Sequence, residues 1–201
     1  MKKIVFLLAM AGISATMYAQ DLVQLEHGSE MPGGEIRLSS VTGEEISLSE
    51  AKKEGGLLVM FSCNTCPYVL KSQARTKEMV DYAGQNNIGV VIVNSNEAQR
   101  DKADSYEAMK KYAKDQKYKV PYVVDENSKL ADLFGATRTP EVFLYNREGK
   151  LMYHGAMEDN PSSPAESKEF YLKNAMDKIV TGEMPDVNFT KSIGCTIKRK
   201  S

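Results

Sequence analysis

The feature that most restricts the fold of this chain is a junction. An apolar run, Gly56-Leu57-Leu58-Val59-Met60-Phe61, gives way at Cys63-Asn64-Thr65-Cys66 to a helix-like stretch that begins near Pro67. A strand therefore hands the chain directly to a helix, with two thiols held at the helix start. The unpaired N–H groups and the positive end of the helix dipole at that point favour a thiolate over a thiol. Thiol chemistry is the first function to consider.

The pattern on either side extends this unit. Gly34-Glu35-Ile36-Arg37-Leu38 and Ile46-Ser47-Leu48 bracket the turn-like Thr42-Gly43-Glu44, which predicts an N-terminal β-hairpin followed by a short helix near 49–53. After the cysteines, Val69, Leu70, Ala74, Val80 and Ala83 form an imperfect helical stripe from Tyr68 to Gly84. Gly89 to Asn94 then reads as a strand apolar on both faces, completing a β-α-β unit. Tyr106, Met109, Tyr112 and Ala113 recur at helical spacing before a strand at Val120 to Val124, and a short helix near 128–134 is stopped by Gly135. Thr139-Pro140 introduces a strand at Glu141 to Tyr145, a turn at 146–149 and a partner strand at Leu151 to His154. A last helix is expected from Pro164 to Thr181, with Ser163 and Glu166 at capping-box spacing and Leu172, Ala175, Met176 and Ile179 on one face. The whole predicts an α/β fold: a central mixed sheet with helices on both faces, an N-terminal hairpin and a C-terminal helical extension.

The chain opens with Met1-Lys2-Lys3, an apolar stretch from Ile4 to Ile13, and small residues up to Ala19. This reads as a signal peptide spanning residues 1–19, with one exported domain over 20–201, in a bacterial periplasm or cell envelope. About ten apolar residues fall short of the roughly 20 that cross a bilayer. Cleavage removes two lysines and no acid, moving the net charge from −1 to −3, and nothing resembles a basic nucleic-acid stripe. With three cysteines, two of them close together, an exported chain is not a multi-disulfide scaffold. A structural zinc site needs four ligands, and beside Cys63 and Cys66 the chain offers Cys195, His27 and His154 without a second closely spaced pair, so no metal is expected.

A strand ending in CxxC, a helix, an alternating β-α segment and a Thr-Pro dipeptide opening a hairpin together resemble the thioredoxin superfamily, in its extracytoplasmic redoxin and thiol–disulfide oxidoreductase branch. The resemblance extends to proteins like the alkyl hydroperoxide reductases and thiol-specific antioxidants. It covers nearly all of residues 20–201 and is carried by Phe61 to Val69, by Gly135 to Phe143 and by the tail Gly194-Cys195-Thr196-Ile197-Lys198. Two departures stand out. The strand before the cysteines has no carboxylate, and the tryptophan usual before the first cysteine is absent.

The resemblance implies a thioredoxin-like fold and a thiol–disulfide oxidoreductase working in the reductase direction. Cys63 corresponds to the nucleophile and Cys66 to the resolving thiol. Pro140 corresponds to a cis-proline packed opposite the pair, and the Thr139 backbone would bind an extended substrate strand. Arg138 and Glu141 flank that dipeptide and are candidates for tuning the thiols by charge or proton transfer. Cys195 reads either as a buried structural thiol or as a third redox thiol. No bound cofactor is needed. The partners expected are a protein disulfide as substrate and a membrane electron donor, met by a monomer. Two rivals remain. One is a redoxin-type antioxidant peroxidase, although Gly56 and Met60 stand where a peroxiredoxin signature would place Pro and Thr. The other is a non-catalytic module that binds a metal or a partner.

Overall fold

A computed structural model describes residues 25–200. The signal-peptide expectation for residues 1–19 lies outside the described residues. In chain order the elements are β1 (Leu38–Ser39), β2 (Glu45–Ile46), α1 (Leu48–Ala51), β3 (Leu57–Ser62), α2 (Pro67–Lys71), α3 (Gln73–Gln85), β4 (Gly89–Asn94), α4 (Tyr106–Gln116), β5 (Tyr122–Val124), α5 (Lys129–Phe134), β6 (Arg138–Thr139), β7 (Glu141–Tyr145), β8 (Leu151–Gly155), α6 (Tyr171–Val180) and β9 (Cys195–Thr196).

Five strands form the central sheet in the order β5-β4-β3-β7-β8. The β3–β4 and β4–β5 pairs are parallel, whereas β3–β7 and β7–β8 are antiparallel, so the sheet is mixed. Because successive strand side chains point to opposite faces, each strand feeds two cores. Leu58, Met60, Val90 and Ile92 pack on Met79 of α3, Met109 of α4 and Leu172 and Met176 of α6. Leu57, Val59, Phe61, Val91 and Val93 pack on Leu48 of α1 and Leu130 and Phe134 of α5. Helices thus cover both faces, as a strand apolar on both sides requires.

Phe61 anchors the end of β3 from which the cysteines emerge. It meets Phe134 and Phe143 edge-on, with ring centroids 5.4 and 5.6 Å away, and is fully buried. Truncating it to alanine removes most of that packing and costs about 3–5 kcal/mol.

Several elements differ from the sequence expectation. The helix expected from Tyr68 to Gly84 is two, α2 and α3, separated at Ser72, whose backbone (φ −87°, ψ 8°) leaves the helical region. The N-terminal hairpin is only two residues deep on each side. The short helix after it starts at Leu48 because Ser47 and Glu50 form a capping box, each side chain bonding the other's backbone amide. The C-terminal helix begins at Tyr171 rather than Pro164. Pro164–Glu166 makes a single 3-10 turn, and the Ser163 side chain caps nothing. The Asp159 and Asn160 side chains instead take the amides of Lys168 and Ser163, holding 159–170 as a loop. The apolar face over Leu172, Ala175, Met176 and Ile179 is buried as read. β6 and β9, which pair antiparallel to each other, have no counterpart in the sequence reading.

Candidate active site

Cys63 follows the last residue of β3, and Cys66 is the N-cap of α2 with Pro67 in its first turn. Proline suits that position because the amide it lacks would have no helical partner. Both thiols are buried, Cys63 with 1% and Cys66 with 3% of its surface exposed, and all three cysteines are free thiols.

The Thr139-Pro140 bond is cis, and Thr139 meets both sulfurs. Its hydroxyl oxygen lies 3.5 Å from Cys63 Sγ, and its carbonyl oxygen accepts from Cys66 Sγ at 3.1 Å. Residues 73 and 76 positions apart in sequence are thereby joined in one cluster.

The two thiols hydrogen-bond each other and titrate as a pair. That bond pulls Cys66 down and pushes Cys63 up, while burial raises both. The single proton then has two seats. On Cys66 it satisfies the Thr139 carbonyl, which can only accept, and leaves Cys63 to receive the Thr139 hydroxyl. On Cys63 it points at Cys66, whose charge is also supported by the thiol and amide of Cys195 and by the Val69 amide in the first turn of α2. The helix start thus acts on Cys66 through the Val69 amide.

Behind the pair stands a polar network that the sequence reading missed. Asp104, completely buried, accepts from the Asn64 amide at 2.9 Å, from Asn94 Nδ2 at 2.8 Å and from Asn96 Nδ2 at 3.0 Å. Tyr122 donates its hydroxyl to Asn64 Oδ1 at 2.8 Å and receives Asn94 Nδ2 at 2.9 Å. Arg100 spans the outside, donating to the carbonyls of Asp104 and Asn94. The carboxylate missing from the strand before the cysteines is thus brought from the β4–α4 connection, and its charge raises Cys63. A signal existed. Polar Asn94-Ser95-Asn96 at the carboxyl end of an otherwise apolar strand is where open α/β sheets place their sites.

The remaining candidates divide. Glu141 is buried and accepts the amides of Thr137 and Arg138 at 2.8 and 2.9 Å, and burial raises its pKa against those bonds. It shapes the turn into Pro140 rather than contacting a sulfur. Arg138 is exposed and donates to Thr196 Oγ1 at 2.8 Å, so its charge acts on Cys195 and not on Cys63. Cys195 is drawn into the site: it pairs with Thr139 in the β6–β9 ladder, and its amide donates to Cys66 Sγ at 3.4 Å. Its thiol is pushed up to about 11, first by burial and then by the hydrogen bond and charge of Cys66. The edge of Thr139 foreseen for a substrate strand is therefore held by the chain's own tail.

Among the described residues no group of three or more His, Cys, Asp or Glu side chains could hold a metal, and no helix is long and apolar enough to cross a membrane. His154 lies in β8, stacked on Phe143 and His27.

The family model described as Redoxin matches residues 26–170. No curated protein matches the sequence. Among solved structures, an uncharacterized conserved protein from Geobacillus kaustophilus is 30% identical, with a TM-score of 0.79, covering 87% of this chain and 93% of its own. A hypothetical protein from Sinorhizobium meliloti 1021 is also 30% identical at a TM-score of 0.79, covering 89% and 97%. The thioredoxin domain of a thiol-disulfide oxidoreductase from Bacteroides vulgatus, at 18% identity and a TM-score of 0.55 over 71% and 96%, shares the fold.

Proposed function

The chain belongs to the redoxin family of the thioredoxin superfamily, and from that premise we propose that it is an exported thiol–disulfide oxidoreductase that reduces protein disulfides with Cys63 and Cys66. The observation that carries this reading is Thr139, whose hydroxyl and carbonyl address one sulfur each.

As the shared proton passes to Cys66, the Cys63 sulfur attacks a substrate disulfide, one substrate sulfur leaves and takes up a proton, and a Cys63–substrate disulfide forms. Cys66 then attacks Cys63 Sγ, the second substrate thiol departs, and the Cys63–Cys66 disulfide remains. A substrate strand pairs with the Thr139 edge in place of β9. The hydrogen bond with Cys66 first, then burial, and the Asp104 charge hold the Cys63 thiol above its ordinary value. A costly thiolate on the nucleophile favours the disulfide form, hence a reducing pair. Lys2, Lys3 and the apolar stretch ending at Ala19 support export to a bacterial envelope. In that oxidising compartment a monomeric reductase needs electrons from a membrane-bound dithiol.

The test is the reduction potential of the Cys63–Cys66 pair in the mature protein, equilibrated against dithiothreitol or glutathione with Cys195→Ser alongside. A value near the roughly −270 mV of thioredoxin is expected, and one near about −120 mV would make the protein an oxidant. Failure of the disulfide to form at any poise would sink the dithiol mechanism.

A further inference from the structure

The tail that covers the site is built into it at both ends. Upstream of Cys195, the His154 amide donates to Asn188 O at 3.0 Å and the Thr190 amide to His154 O at 3.1 Å. Downstream, the Ile197 amide donates to Thr137 O at 3.0 Å, Lys198 N to Asn96 Oδ1 at 2.9 Å, and Arg199 reaches Asp132 and the Ala136 carbonyl. Two glycines admit it. A Cβ on Gly155 would lie 2.2 Å from Thr190 O, and one on Gly194 would lie 2.1 Å from Thr139 O. Such backbone approaches exclude any larger residue.

This strap carries one reactive group, and it is set against the redox pair. Cys195 stands opposite Thr139 in the ladder, its amide and thiol both bond Cys66, and it is half-buried where Cys63 and Cys66 are sealed. With the tail seated, Cys63 and Cys66 are 1% and 3% exposed, whereas Cys195, packed against them, is the more accessible sulfur.

Resting on the dithiol reading above, we propose that Cys195 is the third catalytic sulfur, a tethered relay through which a partner's dithiol re-reduces the buried pair. In the oxidised protein the Cys195 thiolate attacks Cys66 Sγ. The Cys63–Cys66 bond breaks, a Cys66–Cys195 bond forms, and Cys63 leaves as a thiolate that takes up the proton Cys195 gave. The electron count is unchanged. The partner dithiol then attacks Cys195, freeing Cys66, and its second thiol resolves the mixed disulfide. Two electrons and two protons pass to the chain, and the partner becomes a disulfide. The electrostatics favour this order. Two of the influences that raise Cys195 are the hydrogen bond and charge of Cys66, which oxidation of the pair removes, while the opposing charges of Lys198 and Arg138 stay.

The experiment traps the relay bond. Mature Cys63→Ser is oxidised with diamide at several dilutions, quenched with an alkylating agent, digested and mapped by mass spectrometry. The expected product is an intramolecular Cys66–Cys195 disulfide whose yield does not depend on dilution, because the tail holds the two sulfurs at high effective concentration. Cys66→Ser should give at least about tenfold less intramolecular disulfide. Cys63→Ala repeats the test if serine perturbs the buried site. In parallel, dithiothreitol should reduce oxidised Cys195→Ser at least about tenfold more slowly than wild type. A Cys63→Ser or Cys63→Ala protein that keeps Cys195 fully alkylatable after oxidation, or forms only intermolecular dimers, overturns the relay. The wild-type digest separates the two failures. A Cys63–Cys66 disulfide there, with no Cys66–Cys195 bond in the variants, refutes the relay alone; no Cys63–Cys66 disulfide refutes the dithiol reading beneath it.

Discussion

Behind the thiols, the wall is made of side chains: Asp104 gathers three N–H groups from Asn64, Asn94 and Asn96, and Tyr122 closes the ring, all of them buried. In front, the wall is made of backbone: a ladder of two residues between β6 and β9, seated by glycines that let the chains touch. A buried network is costly to disturb because each lost partner leaves another group unsatisfied in a low dielectric. A short edge ladder near solvent opens at small cost, since water can replace its bonds. The back wall positions the CxxC turn, and the front wall is the part a substrate strand can displace.

The largest effect expected concerns the sulfurs between the walls. Cys63→Ser and Cys66→Ser should each lower disulfide reduction by at least about a thousandfold in an insulin-reduction assay, because neither the mixed disulfide nor its resolution survives. Retention of activity in both would reassign the chain to a binding role.

Asp104→Ala tests the back wall next. Three buried donors lose their acceptor, so denaturant unfolding should show a loss of about 3–5 kcal/mol. A loss below about 1 kcal/mol would mean the network is no stiffer than the front wall, and the contrast between them fails.

The upstream clasp of the tail adds a pH dependence. Burial first, and the nearby His27 second, lower His154 to about 4 from its ordinary 6.5. The folded protein therefore binds this proton less well than the unfolded chain. Stability is full above about pH 6.5 and falls as pH drops toward about 4, by on the order of 1–2 kcal/mol. Urea unfolding at pH 7 and pH 5 should show the decrease, and His154→Phe should flatten it; an equally steep decrease in the variant would assign it to other groups.

Gly194→Ala sharpens the comparison most finely. Its Cβ would collide with the Thr139 carbonyl, so β9 should lift while the fold stays. Alkylation of Cys66 is expected to quicken about tenfold, equivalent to about 1.4 kcal/mol of local opening, with little change in global unfolding. An equal fall in global stability would show that the two walls open together.

Much of this architecture is legible in the linear chain. The strand at 57–62, the strand at 89–94, the hairpin after Thr139-Pro140 and the apolar face over Leu172 to Ile179 follow from periodicity and from turn residues, which are local properties. The break at Ser72 and the late start of α6 are less visible. The first depends on a single backbone conformation, and the second on Asp159 and Asn160 outcompeting a capping pattern for nearby amides.

The amino-acid sequence by itself determined that two thiols stand between a buried strand and a helix, because strands and helices announce themselves through repeats of two and of 3.6 residues, while the family resemblance implied that the Thr-Pro dipeptide faces them. The tertiary structure alone decided that Asp104 stands behind the pair and that Cys195, 129 residues from Cys66 in the chain, lies against it. A two-residue ladder and a ring of single hydrogen bonds have no period to read, and their members meet only once the sheet has brought distant segments together.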